Sequence, residues 1–516
     1  MFPAQTSFIP ITVALTKYIE AYGFSNNYPY WYLGSTPVRY LIGPVVPSLL
    51  VVFHKVLPSV SFFDLSIVAV LLFQFLTALG WGLLAWKLSG KRLIGVFVLV
   101  GVFILPWHWV SAFGLGEVSA ILAQAMTPWV LMAYAKYQIS NTKYQILLPV
   151  TAITFLLLTN TTASISAIVG LVILAISNSK DQIANIKKAA LVILGGWALS
   201  MLWYGPGYYL TIFGAPSIGG KSAFGAFFGL VNFVRGLVPI ILVIVLVWWR
   251  ASPKNFYEKF VLGWLTIFGS MTLFRFISDF DFWMDWTSWM GEVEVGVALL
   301  AGHILSQSLV SKKRSTNLET DLEVISQSRS GPRQHHMLEE KSKVRESWLR
   351  HVFGYFEIAP QTRILILITV IYYAAGWGLA WQKRDFWLPR RSIENTVEYK
   401  VSYELASLVR PEETVFLSGS SVFWLNALFD IRQVRGGRDE VSRSAWRPMA
   451  WEVREGEDAA SSYAALSGFG IDYLVVHKEN SGEYYHDFPF SDKFENNSNF
   501  QKVFADSGDL IFKIKK

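Results

Sequence analysis

The side chains that could do chemistry in this sequence gather where long apolar runs begin or end. Glu117 closes the stretch Gly114-Leu115-Gly116-Glu117 and opens the apolar run behind it. Asp279, Asp281 and Asp285 stand in Asp279-Phe280-Asp281-Phe282-Trp283-Met284-Asp285-Trp286, and Glu292 and Glu294 follow soon after. Arg235 and Arg275 lie near the ends of their apolar runs, and Arg39 lies upstream of them all. Carboxylates serve as general bases or hold a divalent cation through oxygen. An arginine clamps a phosphate with two parallel hydrogen bonds. Acids and arginines together at a membrane surface suit a lipid phosphate. A structural reading stands beside each of these. An acid at a helix N-terminus favours the dipole, an aspartate run with aromatic neighbours makes a solvated loop, and an arginine at a helix end snorkels. His108, between Trp107 and Trp109, reads as an interfacial polar residue rather than a metal ligand.

The elements that must position these groups are apolar runs: 65–86, 93–110, 118–134, 146–158, 163–176, 189–203, 230–249, 260–274, 293–310 and 364–381. Most approach the roughly 17–25 residues that a bilayer requires of a helix. A helix satisfies its own backbone hydrogen bonds and so can cross hydrocarbon. The composition agrees. The 516 residues are 53% hydrophobic and only 16% charged, too little charge for a soluble chain. The net charge of +7 does not point to nucleic acid, because the basic residues sit at the ends of the runs. With no cysteine there is neither a disulfide framework nor a thiolate metal site.

Basic residues mark every second connection. Lys87, Lys91 and Arg92 follow the first run, Lys136 and Lys143 the third, Lys180, Lys187 and Lys188 the fifth, and Arg250, Lys254 and Lys259 the seventh. Lys312, Lys313 and Arg314 follow the ninth, while the connections between carry at most Lys221. By the positive-inside rule the basic connections are cytoplasmic. The reading is a polytopic helical bundle of about ten spans, with an extracytoplasmic first segment over 1–63, a bundle over 64–311 and a polar cytoplasmic linker over 312–361. A last span over 362–382 leads to an extracytoplasmic α/β domain over 383–516. A surface or re-entrant helix is expected within 40–53. A further span before Met1 would make eleven and is expected, since the count otherwise leaves the N-terminus outside.

In the last domain, β-rich runs fall at 414–417, 473–476, 502–505 and 510–514, with helical patterns at 397–409 and 459–466. Ser507-Gly508 is a hairpin turn signal. Ser418-Gly419-Ser420-Ser421 follows a strand. It reads as a strand-to-helix turn before it reads as an anion cradle, for it lacks the Walker lysine. Tyr484-Tyr485-His486-Asp487 has no nucleophile at a telling spacing.

The layout resembles the GT-C superfamily of polytopic glycosyltransferases, which takes in oligosaccharyltransferases, protein mannosyltransferases and YfhO-like bacterial proteins. The resemblance is architectural: a long first external segment, a bundle, an acidic residue opening a helix at Glu117, and an external C-terminal α/β domain. Tyr28-Pro29-Tyr30-Trp31-Tyr32-Leu33-Gly34 with Arg39 and Gly43-Pro44, Ser418 to Asn426, and Val434-Arg435-Gly436-Gly437 look like segments of prokaryotic members. The resemblance implies sugar transfer from a polyprenyl-phosphate donor to a glycan, lipid or protein at the outer face of a prokaryotic cytoplasmic membrane. Glu117 or an aspartate of 279–285 would orient the acceptor or a divalent cation, and Arg275, Arg39 and Arg235 would hold the lipid phosphate. Such enzymes carry an essential acid in the first external segment. Glu20 is the acidic residue that precedes Asp64 here, so it is the candidate for that place. The alternative is a lipid or polysaccharide transporter or flippase, or an inactive assembly protein. A transporter calls for charges paired near the bilayer midplane, and these runs carry almost none.

Overall fold

In this computed structural model the described residues are 1–24, 26–139, 143–178, 181–214, 238–247, 253, 255–277, 289–307 and 360–515. Helices occupy nearly every apolar run. They are α1 (Ile9–Tyr22), α2 (Val45–Val56), α3 (Phe62–Ser89), α4 (Arg92–Phe103), α5 (Pro106–Val110), α6 (Val118–Ile139), α7 (Leu147–Thr159), α8 (Ser164–Ser177), α9 (Gln182–Gly214), α10 (Phe256–Ile277), α11 (289–307) and α12 (Pro360–Gln382).

α3 shows how the sequence writes a long helix. Ser61 caps its start by accepting from the Asp64 backbone N–H, and Asp64 places a negative charge in the first turn. Gly90, at φ +70°, ends it in the left-handed conformation, and Lys87 favours the C-terminal dipole. Its 28 residues reach about 42 Å, enough to cross a bilayer. The outer face stays apolar, with Val68, Leu71, Leu72 and Phe75 all exposed. A helix apolar on every side needs lipid on the side that protein does not cover. By length and composition three helices among the described residues qualify as spans, 62–89, 118–139 and 182–212, with a fourth if the bent pair α4 and α5 counts as one.

The chain departs from the expected runs in two places. Run 93–110 is broken by 44° between α4 and α5. Pro106 lacks the N–H that a continuous helix would need, and it starts α5 instead. The expected loop from Pro206 begins as helix. α9 continues to Gly214 past a kink at Gly205, after which Pro206 opens a new helical stretch.

The C-terminal domain holds one five-stranded sheet, ordered β2-β1-β3-β5-β4. Its strands are β1 (Thr414–Phe416), β2 (Arg432–Gln433), β3 (Tyr473–His477), β4 (Phe500–Asp506) and β5 (Asp509–Ile514). β1 runs parallel to β2 and β3, with Val415 opposite Tyr473, and β5 is antiparallel to β3, with Leu474 opposite Phe512. β3 is buried along its whole length, as expected of a central strand covered on both faces. Ser507 and Gly508 both take positive φ, the geometry that a two-residue hairpin between right-twisted strands requires. Helices α13 (Val397–Leu408), α14 (Ser421–Leu428), α15 (Trp446–Glu455) and α16 (Ala459–Gly468) pack around the sheet.

The first segment joins the two halves, and one hydrophobic core runs from α1 through α3 and α6 into the sheet. Its bonds account for the three family-like runs. The Trp31 indole donates to Asn426 Oδ1 at 2.8 Å, the Gln433 N–H donates to the Tyr30 carbonyl, and the Tyr32 hydroxyl donates to Asp439. Gly436 and Gly437 admit this contact because a Cβ on either would come within 2.7 Å of Trp31 or Ile11. Trp31, Asn426 and Gly436-Gly437 of those runs form a packing surface between the first segment and the C-terminal domain.

Candidate active site

A cavity of about 550 Å³ opens where the bundle, the first segment and the C-terminal domain meet. That volume suits a small-molecule or headgroup site. α1 and the turn at Leu41-Ile42 supply an apolar wall, and the bundle supplies His108, Glu117, Asn160 and Ser166. The C-terminal domain contributes Arg438 and Tyr485.

Local geometry sets Glu117. A π-helical turn, Ser111–Leu115, ends at Gly116, whose φ of +61° turns the chain into α6. A side chain at Gly116 would collide with Ser7, because a Cβ would lie 2.1 Å from its Oγ. The Glu117 carbonyl accepts the first backbone bond of α6 from Ile121, so its carboxylate sits at a helix N-terminus. Glu117 Oε1 accepts from Asn160 Nδ2 at 2.7 Å and from the Ser119 hydroxyl at 3.2 Å. Asn160 Oδ1 accepts from the backbone N–H groups of Thr162 and Ala163, which fixes the amide with its NH2 toward the carboxylate. Among the described residues Oε2 of Glu117 takes no hydrogen bond.

His108 forms another wall and is 5% exposed. Its Nδ1 lies 3.0 Å from Glu294 Oε2. The fully buried Glu294 carboxylate also accepts from the backbone N–H groups of Trp107 and His108 and from the Tyr372 hydroxyl. Glu292 is buried beside it, facing Ser166 and His108, and its carbonyl accepts from the Trp264 indole.

The remaining expected site residues are placed as follows. Glu20 lies off the cavity wall at the far end of α1, 3.1 Å from His54 Nδ1. Arg39 is exposed, with its guanidinium over the Tyr40 ring and away from the wall. Asp279, Asp281, Asp285 and Arg235 lie outside the described residues, as does the side chain of Arg275. Among the described residues no three His, Asp or Glu side chains converge to hold a metal ion. Glu117 and His108 offer fewer donors than a divalent cation takes, so the described residues do not by themselves make up the cation site considered from the sequence.

Sequence reasoning passed over Arg438, read Asn160 as part of a polar turn, and set aside His108 and the run that holds Tyr485. The Trp107-His108-Trp109 and Tyr484–Asp487 runs were visible signals, and nothing local marked Arg438. The anion cradle at Ser418–Ser421 is filled from within. Glu483 takes the Ser420 backbone N–H at 2.8 Å and the hydroxyls of Ser420 and Ser421 at 2.6 and 2.9 Å. The loop that carries Glu483 also carries Tyr485 to the cavity. Asp487 anchors it further, accepting from Ser418 and from Arg454 at 3.2 Å.

No protein-family model and no curated protein matches the chain. Solved structures do. The oligosaccharyltransferase AglB of Archaeoglobus fulgidus, in complex with an inhibitory peptide and a dolichol-phosphate, has a TM-score of 0.53 at 12% identity. The match covers 99% of this chain and 70% of AglB. The arabinofuranosyltransferase AftD from mycobacteria has a TM-score of 0.52 at 14% identity, over 100% of this chain and 38% of AftD. The fold is that of the GT-C glycosyltransferases. At these identities the likeness establishes architecture, and the apolar helices agree with an integral membrane protein.

Proposed function

We propose that this GT-C-fold protein is a membrane glycosyltransferase. It moves a sugar from a polyprenyl phosphate to a glycan, lipid or protein acceptor at the extracytoplasmic face. The observation that carries this reading is the Glu117 carboxylate, held by Asn160 and Ser119 in the wall of a cavity that the C-terminal domain closes. With Oε1 occupied, Oε2 is the oxygen left to meet the acceptor or the positive charge that develops at the sugar's anomeric carbon. Arg438 is the guanidinium of the wall and would meet the phosphate. Arg275 and Arg235 remain candidates for the same role, with Arg39 outside the wall. The charge pattern supports this face. The Lys87 ammonium reaches the Met132 carbonyl and that of Lys188 reaches Gln138, both near the C-terminal end of α6, whereas Glu117 stands at its N-terminal end.

The test is transfer by detergent-solubilised protein from long-chain polyprenyl phosphates carrying a panel of sugars. Glu117→Gln should lower transfer at least ~100-fold while leaving binding of the bare polyprenyl phosphate intact. Unchanged transfer would reduce Glu117 to a helix-capping charge, and wild-type protein that turns over no donor would end the transferase reading.

A further inference from the structure

We propose that His108 is the general base of this site and that Glu294 is its positioning residue. This rests on the transferase reading above. Glu294 is fully buried, and its carboxylate has four donors: two backbone N–H groups, the Tyr372 hydroxyl and His108 Nδ1. A carboxylate can only accept, so Nδ1 must carry the proton of that contact. In the neutral imidazole Nε2 then bears a lone pair, as when a buried acid orients a catalytic or metal-bound histidine. Among the described residues nothing bonds Nε2. Gly291 lies against this part of the ring, and the point where its Cβ would stand is 3.5 Å from Cε1 and 3.9 Å from Nε2. The missing side chain leaves that edge open, and both His108 and Gly291 line the cavity.

A buried imidazole and two buried acids are costly in a bundle made for lipid. Two backbone N–H groups and a tyrosine could satisfy Glu294 without any histidine. The surplus contact fixes one tautomer and one ring orientation, and a wall facing a substrate cavity gains from both. It also answers a gap in the chain, since Glu20 stands off the wall. Among the described residues Glu292 and Glu294 of α11 face the ring, and Tyr372 of α12 bonds Glu294.

The step balances. The acceptor O–H bond breaks and its proton passes to Nε2. The acceptor oxygen bonds to the anomeric carbon, and the bond from that carbon to the phosphate oxygen breaks with its electron pair leaving on the polyprenyl phosphate. The imidazolium returns its proton to solvent after products depart.

Two measurements test this on the full-length protein. Labelling by diethyl pyrocarbonate, followed by peptide mass spectrometry, should modify His108 and be blocked by polyprenyl phosphate. In the donor-panel assay, His108→Gln should lower the maximal rate about 100-fold or more without weakening lipid binding. It should also erase the acid limb of the pH–rate profile, which Glu294→Gln should shift. An unlabelled His108 in folded protein overturns the proposal, as does a His108→Gln enzyme that keeps both rate and limb while wild type is active. A labelled His108 in a protein that turns over no donor removes the transferase reading and the base assignment with it.

Discussion

Glu398 and Glu483 approach one hydroxyl from two sides, each 2.6 Å from Ser420 Oγ. A serine has one proton to donate, and Glu483 already accepts from the Ser420 backbone N–H. The short contact to Glu398 therefore requires a proton on Glu398, which donates to the hydroxyl oxygen. The electrostatics agree. Burial, and next the Glu483 carboxylate, push Glu398 from 4.5 up to about 7. Below pH 4.5 folded and unfolded chains both hold this proton, and between 4.5 and about 7 only the folded chain does. The domain thus loses stability as pH rises through that window. From pH 5 to pH 8 the loss is on the order of 2–3 kcal/mol, roughly 100-fold in the opening equilibrium. Glu398→Gln should remove it, because the amide NH2 donates to Ser420 as the protonated acid does. Hydrogen exchange of α13 and α14 in the full-length protein, corrected for intrinsic rates, measures this opening. Wild type should open more at pH 8 than at pH 5, and the variant should show much less difference. Part of the slope should survive through His477. Burial opposes its charge, but the bond to Asp509 and the carboxylates of Glu483 and Glu398 outweigh that and raise it above 6.5. Its contribution therefore also fades as pH rises. Equal slopes in wild type and variant would refute the shared-proton reasoning.

Further expectations follow from single contacts. Asn160→Ala removes the amide that orients Glu117 and the cap on Thr162 and Ala163. Transfer should fall about tenfold and stability by ~1 kcal/mol, and a thermal scan and rate that both match wild type would count against this role. Asn426→Ala strips Trp31 and Gln433 of a buried acceptor. It should cost a few kcal/mol and expose the first segment to limited proteolysis; wild-type resistance would show that the interface is held elsewhere. Gly116→Ala meets both the left-handed backbone and Ser7, a cost of at least 1–2 kcal/mol. Adding Ser7→Ala should recover part of the lost thermal stability, and no recovery would locate the strain in the backbone alone.

The GT-C architecture was legible because its signals are local. Helix-length apolar runs and the turn at Ser507-Gly508 depend on neighbours a few residues away and shaped the chain where expected, and the cap at Ser61 and the stop at Gly90 are equally local. Glu117 stood out for the same reason, as a charge at the mouth of an apolar helix. The bend at Pro106 was written locally too, though the hydropathy of run 93–110 hid it. What tertiary structure alone decided is convergence. His108 meets Glu294 across 186 positions, Asn160 meets Glu117 across 43, and Trp31 meets Asn426 across 395. Nothing in local periodicity specifies which loops face one another once helices pack. The same packing placed Glu483, rather than a ligand, in the Ser418–Ser421 turn and left Glu20 beside His54. Composition and spacing fix elements because backbone hydrogen bonding and hydrophobicity act over a few residues. The site exists only where the first segment, the bundle and the C-terminal domain bury their surfaces together.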